Sequence, residues 1–183
     1  VITPPVLSIA LDEVRAQLKL DDEADDTLIQ IYTAAALANI DGPGKWLGRA
    51  IGVQTLEARL DNFDCGSIRL PYPPIISVLS VKYVDAAGAE QTIAADRYEL
   101  LGTSLVPVHG AVWPRPRWQR EAVRVQYRAG YTTLPGDLKV AVLMMIADFY
   151  RARETFVIGA SAMAVPMVTD VDKLLQPYRI YSV

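Results

Sequence analysis

Leu11, Val14 and Leu18 recur at helical spacing, and Asp12 and Glu13 stand where negative charge complements the start of a helix dipole. A short helix is predicted there, after an extended lead-in over residues 1–7 that contains Pro4 and Pro5. A second helix is predicted over 27–40, with Leu28, Ile31, Tyr32 and Ala35 as its buried stripe, until Asp41, Gly42, Pro43 and Gly44 break it. Lys45 to Arg49 are expected to add a last turn. The pattern then changes period. Strands are predicted over 54–60, 68–70, 75–84, 91–93, 98–101, 106–108 and 122–127, short runs whose turn spacing suits a small sandwich or barrel. Pro71, Pro73 and Pro74 cannot donate to a ladder, so they form a corner between the second and third of these strands. Along 75–84 the alternation puts Ile75, Leu79, Val81 and Tyr83 on one face, with Ser80 and Lys82 on the other. Asp85 to Gly88 turn the chain back into 91–93.

After Gly130 the helical period returns, with Pro135 expected as the first residue of a third helix and Asp137 in its opening turn. From Val140 to Ala147 that helix is apolar all round, which predicts a central position covered on every side. Residues 155–169 carry no charge and are expected to pack against something. A short helix over 171–176 and a tail over 177–183 close the chain. The fold class expected is α+β, a helical bundle with a small antiparallel β subdomain, sandwich or barrel-like, inserted between the second and third main helices. The 183 residues suit a single domain, helical over 8–50, β-rich over 51–130, and helical with a C-terminal tail over 131–183.

Composition changes this picture in three ways. Apolar residues make up 51% of the chain, and the surplus over an ordinary domain favours burial against other subunits. The longest apolar run is far short of the ~20 residues that cross a bilayer, and no leader pattern stands at the start, so a soluble, unexported protein without membrane contact is expected. The net charge of -3 is unevenly spread: residues 1–64 hold 5 basic and 11 acidic side chains, whereas the remainder hold 13 and 10. Opposite poles suit head-to-tail contact between copies.

Catalytic and cofactor chemistry finds little support. One cysteine, Cys65, and one histidine, His109, are too few for a disulfide or a zinc site, and no cofactor is expected. The stretch Gly42-Pro43-Gly44-Lys45 fails as a phosphate-binding loop, because Asn39 and Trp46 stand where Gly and Ser or Thr are needed. Neither Ser104 nor Ser161 sits in a Gly-x-Ser-x-Gly elbow, which leaves a serine hydrolase without its nucleophile. The chain therefore does not read as an enzyme.

Charged clusters remain. Asp21, Asp22, Glu23, Asp25 and Asp26 form a block that lacks the EF-hand order and reads as a solvated helix start or as a cation or partner surface. Trp113, Arg115, Arg117, Trp118, Arg120, Arg124 and Arg128 have the composition of a phosphate-gripping stretch, though solvated or intersubunit arginines carry the same pattern. Arg124 and Arg128 share one face of the last strand, and that face is expected to meet the acidic block of an adjacent subunit. A soluble ligand-binding or DNA-binding module using the stretch from Trp113 to Arg128 is the alternative.

Residues 67–93, with their proline corner and hairpin, resemble the middle of the head-tail connector (adaptor) proteins of tailed bacteriophages and gene transfer agents. Leu11 to Leu20 before the acidic run, Val123 to Tyr131 leading through Leu134 and Pro135 into the apolar helix, and Leu174 to Arg179 are similar to the family in the same order. Ala10 replaces the Ser or Thr usual before the first helix, and the Asp41 to Gly44 break interrupts a segment that family members often run helically. The resemblance implies a virion structural protein assembled in the host cytoplasm and located at the neck. It implies a homo-oligomeric, dodecameric ring between the portal protein and a stopper or tail-terminator protein. DNA would pass through its channel without sequence-specific binding. The tail Tyr178, Arg179, Ile180 and Tyr181 would contact the portal.

Overall fold

The computed structural model describes residues 1–6, 9–63, 66–151 and 169–180. Cys65, Ser161, Tyr181 and the uncharged stretch 155–168 lie outside them. The chain divides into two compact units, a sheet unit of residues 1–6 and 49–132 and a helical unit of residues 7–48 and 133–183.

The sheet unit contains β1 (Thr3–Val6), β2 (Val53–Leu60), β3 (Ile68–Arg69), β4 (Ile75–Val84), β5 (Glu90–Ile93), β6 (Tyr98–Leu101), β7 (Ser104–Pro107) and β8 (Val123–Ala129). One sheet has the order β1-β2-β8-β4-β5 and the other β3-β7-β6, with every pairing antiparallel. Residues 1–7 are therefore more than a lead-in: β1 pairs with β2 at the sheet edge, where proline is tolerated because one side of the strand needs no donor. The predicted strand at 106–108 lies slightly earlier, at β7.

Strand β8 shows the period-2 alternation the sequence predicts: Val123, Val125, Tyr127 and Ala129 are buried, while Arg124 and Arg128 are exposed. These four join Leu56, Ala58, Phe63, Ile68, Leu70, Val81 and Leu105 in one core. Strand β4 departs from its expected alternation. Two bulges, between Ile75 and Ser77 and between Val78 and Ser80, each insert a residue opposite β8. Val78 consequently packs on the core, whereas Ile76 and Leu79, the inserted residues, are exposed, Leu79 at 51%.

The proline corner is tied to the end of β8. Tyr127 Oη donates to the Pro71 carbonyl at 2.8 Å, and burial, followed by nearby Tyr72, pushes its phenol up. Gly130 N–H donates to Pro74 O at 2.9 Å. Gly130 has φ +118°, and a Cβ there would stand 2.1 Å from the Gly52 carbonyl oxygen, so both backbone conformation and space require glycine.

The helical unit contains α1 (Leu11–Leu18), α2 (Asp26–Ile40), α3 (Gly136–Arg151) and α4 (Thr169–Leu175). Ala10 provides no side-chain cap for α1. Helix α3 packs against α1, α2 and α4, burying Leu138, Ala141, Val142, Met145, Ile146 and Ala147. Its cover is incomplete: Val140 is 48% exposed, and Leu143 and Met144 are half-buried. Pro135 precedes the helix rather than opening it, its carbonyl accepting from Lys139 N.

The stripe expected on α2 is displaced. Ile29, Ala36 and Ile40 are buried, whereas Ile31 is 58% exposed and Ala35 is also outside. Apolar residues surround much of this helix, so periodicity alone leaves its rotation open. Residues 45–48 form turns instead of another helical turn, with Gly48 N donating to Lys45 O at 3.0 Å.

Candidate assembly surfaces

The outer face of the five-stranded sheet carries a basic row set by strand register: Arg59 on β2 opposes Arg124 on β8, which opposes Lys82 on β4. Carboxylates interrupt it. Arg59 Nε donates to Glu57 Oε1 at 2.7 Å and its Nη1 to Glu121 Oε2 at 2.8 Å, raising the guanidinium pKa, chiefly through Glu57. Gln126 Nε2 donates to the other Glu57 oxygen at 3.1 Å, and this bond, with Arg59 next, holds Glu57 below the usual carboxylate range. Glu90 lies 2.9 Å from Lys82 Nζ and 3.5 Å from Arg124 Nη1, and is likewise lowered, first by Lys82. Arg128 differs from Arg124: it is exposed between Thr55 and Ser77 and has no carboxylate partner among the described residues.

The acidic block divides in the same way. Asp26 opens α2 and binds Arg15, whose Nε donates to Asp26 Oδ1 at 2.8 Å and whose Nη2 reaches the second oxygen. Tyr150 Oη donates to Asp25 Oδ2. These two carboxylates hold α1, α2 and α3 together. Asp21, Asp22 and Glu23 remain exposed; Asp22 accepts from Ala24 N at 3.4 Å, and Glu23 lies 3.6 Å from Arg15. Among the described residues no group of His, Cys, Asp and Glu gathers as a metal-holding set.

Along the stretch from Trp113 to Arg128 the side chains of Arg115, Arg117, Arg120, Arg124 and Arg128 are all exposed, but the two tryptophans are placed differently. Trp113 stacks on Phe63 at 4.9 Å and 8°, beside a groove of about 540 Å³ that Pro107, Val112, Pro114 and Pro116 also line. Its buried Nε1 has no partner among the described residues. Trp118, five residues further on, is 97% exposed. His109 is exposed in a turn.

The tail folds back on its own unit as far as it is described. Ile180 N donates to Leu47 O at 2.9 Å, and the Arg179 guanidinium lies 4.7 Å from the Trp46 ring centroid. Tyr178, Arg179 and Ile180 are half-buried, while Tyr181 lies outside the described residues. Spacing in the sequence gives no signal for the Trp46–Arg179 stacking or for the long-range Tyr150–Asp25 bond.

The described residues thus form a two-unit α+β chain that exposes charged and aromatic side chains. The chain belongs to the head completion protein family, a family of structural virion proteins, which it matches over residues 8–180. Its fold is similar to a chain in the neck of an empty gene transfer agent particle computed with C6 symmetry, at 25% identity and TM-score 0.68. It is also similar to a chain of the virion of a native gene transfer agent particle, at 26% identity and TM-score 0.68. A third similar chain comes from the neck of a native gene transfer agent particle computed with C12 symmetry, at 24% identity and TM-score 0.65. All three similarities cover 100% of this chain and 97% of the other. No curated protein matches it.

Proposed function

We propose that this chain is a head-tail adaptor of a phage or phage-like particle, located in the neck and acting as one connector domain in a homo-oligomeric ring. The observation that carries the reading is whole-chain similarity to neck and virion chains of gene transfer agent particles, spanning both units rather than one. Necks computed with C6 and with C12 symmetry support a dodecamer within this reading, since both symmetries divide twelve copies evenly. The ring sits between the portal protein and a stopper or tail-terminator protein, and DNA passes through without sequence-specific contact.

The sheet unit contains 10 basic and 8 acidic side chains, net +2, and the helical unit 8 and 13, net -5. Such asymmetry suits heterologous contacts, which close into rings. Asp21, Asp22 and Glu23 of one copy meet the Arg124 and Arg128 face of the next, with Arg128 the freer cation and with Asp25 and Asp26 serving the fold. The Tyr178, Arg179, Ile180 and Tyr181 tail, with Trp46 beside it, forms the portal contact through aromatic and arginine side chains.

Electron microscopy of particles from the producing host, with this gene deleted and with the deletion complemented, tests the reading. Heads and tails that fail to join, and rejoin on complementation, are expected. Normally tailed particles from the deletion would refute it.

A further inference from the structure

Of the exposed apolar features left over once the charged surfaces are assigned, two bear on assembly. The first is the loop before β8. Its base is fixed: Trp113 stacks on Phe63, Arg117 N donates to Val84 O at 2.8 Å, and Glu121 N donates to Asp61 Oδ1 at 2.9 Å. Pro114 and Pro116 stiffen it further. Its tip nevertheless offers Trp118 almost entirely to solvent, between Arg115 and Arg120, which have no carboxylate partner among the described residues. An exposed tryptophan between arginines on a rigid loop is the composition of an interface anchor, because little side-chain or backbone freedom remains to be lost on binding.

The second is the outward side of α2. A solvated helix face ordinarily carries charge. Here the exposed positions are Thr27, Gln30, Ile31, Ala34, Ala35, Ala38 and Asn39, and the helix's one charged residue, Asp26, is engaged by Arg15. Ile31 is the large apolar side chain among them.

We infer that Trp118 of one copy seats against Ile31 and the uncharged face of α2 in the next copy. This deepens the adaptor reading and rests on it. Charge complementarity selects the occupant: Asp21, Asp22 and Glu23 lead directly into α2, and Arg115 and Arg120 flank Trp118. The loop also runs directly into β8, so the anchor is continuous with the proposed Arg124 and Arg128 contact. Within the proposed ring Trp118 of each copy meets α2 of the next, a heterologous contact that propagates, whereas an isologous version of the same pairing would close at the dimer.

The test uses full-length chain in particles, with Cys65→Ser as background. Gln119→Cys, beside the intact Trp118, and Ala35→Cys are combined in one chain, and purified particles are treated with a short bis-maleimide. A ladder of covalent multiples beyond the dimer is expected from the double variant and none from either single variant. Tailed particles that contain the chain but give no ladder, or dimers alone, overturn the inference while leaving the adaptor reading intact. Particles that lack the wild-type chain altogether overturn both. Independently, Ile31→Glu is expected to reduce incorporation about tenfold or more while leaving the thermal midpoint of the isolated chain unchanged. Unchanged incorporation counts against the inference.

Discussion

The five-stranded sheet and helix α2 dispose of their outward surfaces differently. On the sheet, Arg59, Lys82 and Arg124 are set against Glu57, Glu90 and Glu121 within the same unit. On α2 the outward side has no charge, and Ile31 stands in solvent. The sheet's central strands thus balance most of their own charge, while the helix leaves apolar surface uncovered. Exposed paired charges contribute little to stability and solubilise a face. Uncovered apolar surface on a helix is a cost that contact with another molecule removes. The number of arginines is therefore a poorer guide to an interface than whether each is already paired.

Substitutions can break this contrast. The largest effect is expected at Gly130, where Ala combines a left-handed backbone with a clash against Gly52; a loss of about 3 kcal/mol or more in chemical denaturation checks the closure of the sheet unit. Next comes a comparison within α2. Ile29 is fully buried, so Ile29→Ala is expected to cost about 2–5 kcal/mol, whereas Ile31→Ala stays within about 0.5 kcal/mol by the same assay. Equal losses would mean that α2 has no spare face. Tyr127→Phe removes the bond to Pro71 O and should cost about 1 kcal/mol, less than the apolar deletion.

The smallest effect concerns pH. Glu57 and Glu90 have folded values depressed below the ordinary glutamate range, so their stabilising contribution is present above that range and is lost as pH falls through the lower folded values. The thermal midpoint of the chain is expected to fall across that acidic window, and Glu57→Gln should flatten the decline. A decline of unchanged slope in Glu57→Gln would show that the sheet's charge pairing does not contribute.

Much of the architecture is legible in the sequence because the signals are local. Strand β8 follows its alternation, and β4 and β6 fall on their predicted residues, since turn chemistry and prolines mark their ends. What escapes is set by distant partners. A period-2 reading of β4 assumes unbroken register with β8, so it places Leu79 inside; each bulge moves the next side chain to the opposite face. The rotation of α2 depends on where α1 and α3 lie, because Leu28, Ile29, Ile31 and Tyr32 provide apolar candidates on more than one side. The acidic block is visible as a run. Its division into structural Asp25 and Asp26 and outward Asp21, Asp22 and Glu23 depends on Arg15 and Tyr150, the latter 125 residues from Asp25. Two tryptophans five positions apart look equivalent in sequence, yet Phe63 takes Trp113 and leaves Trp118 outside.

A cryo-electron microscopy reconstruction of the neck from particles of the producing host, calculated without imposed symmetry, tests the account most directly. It is predicted to contain this chain as a closed ring beneath the portal, with the outward face of α2 covered by the adjacent copy. A neck without this chain, or a ring in which Ile31 faces open solvent, would contradict it.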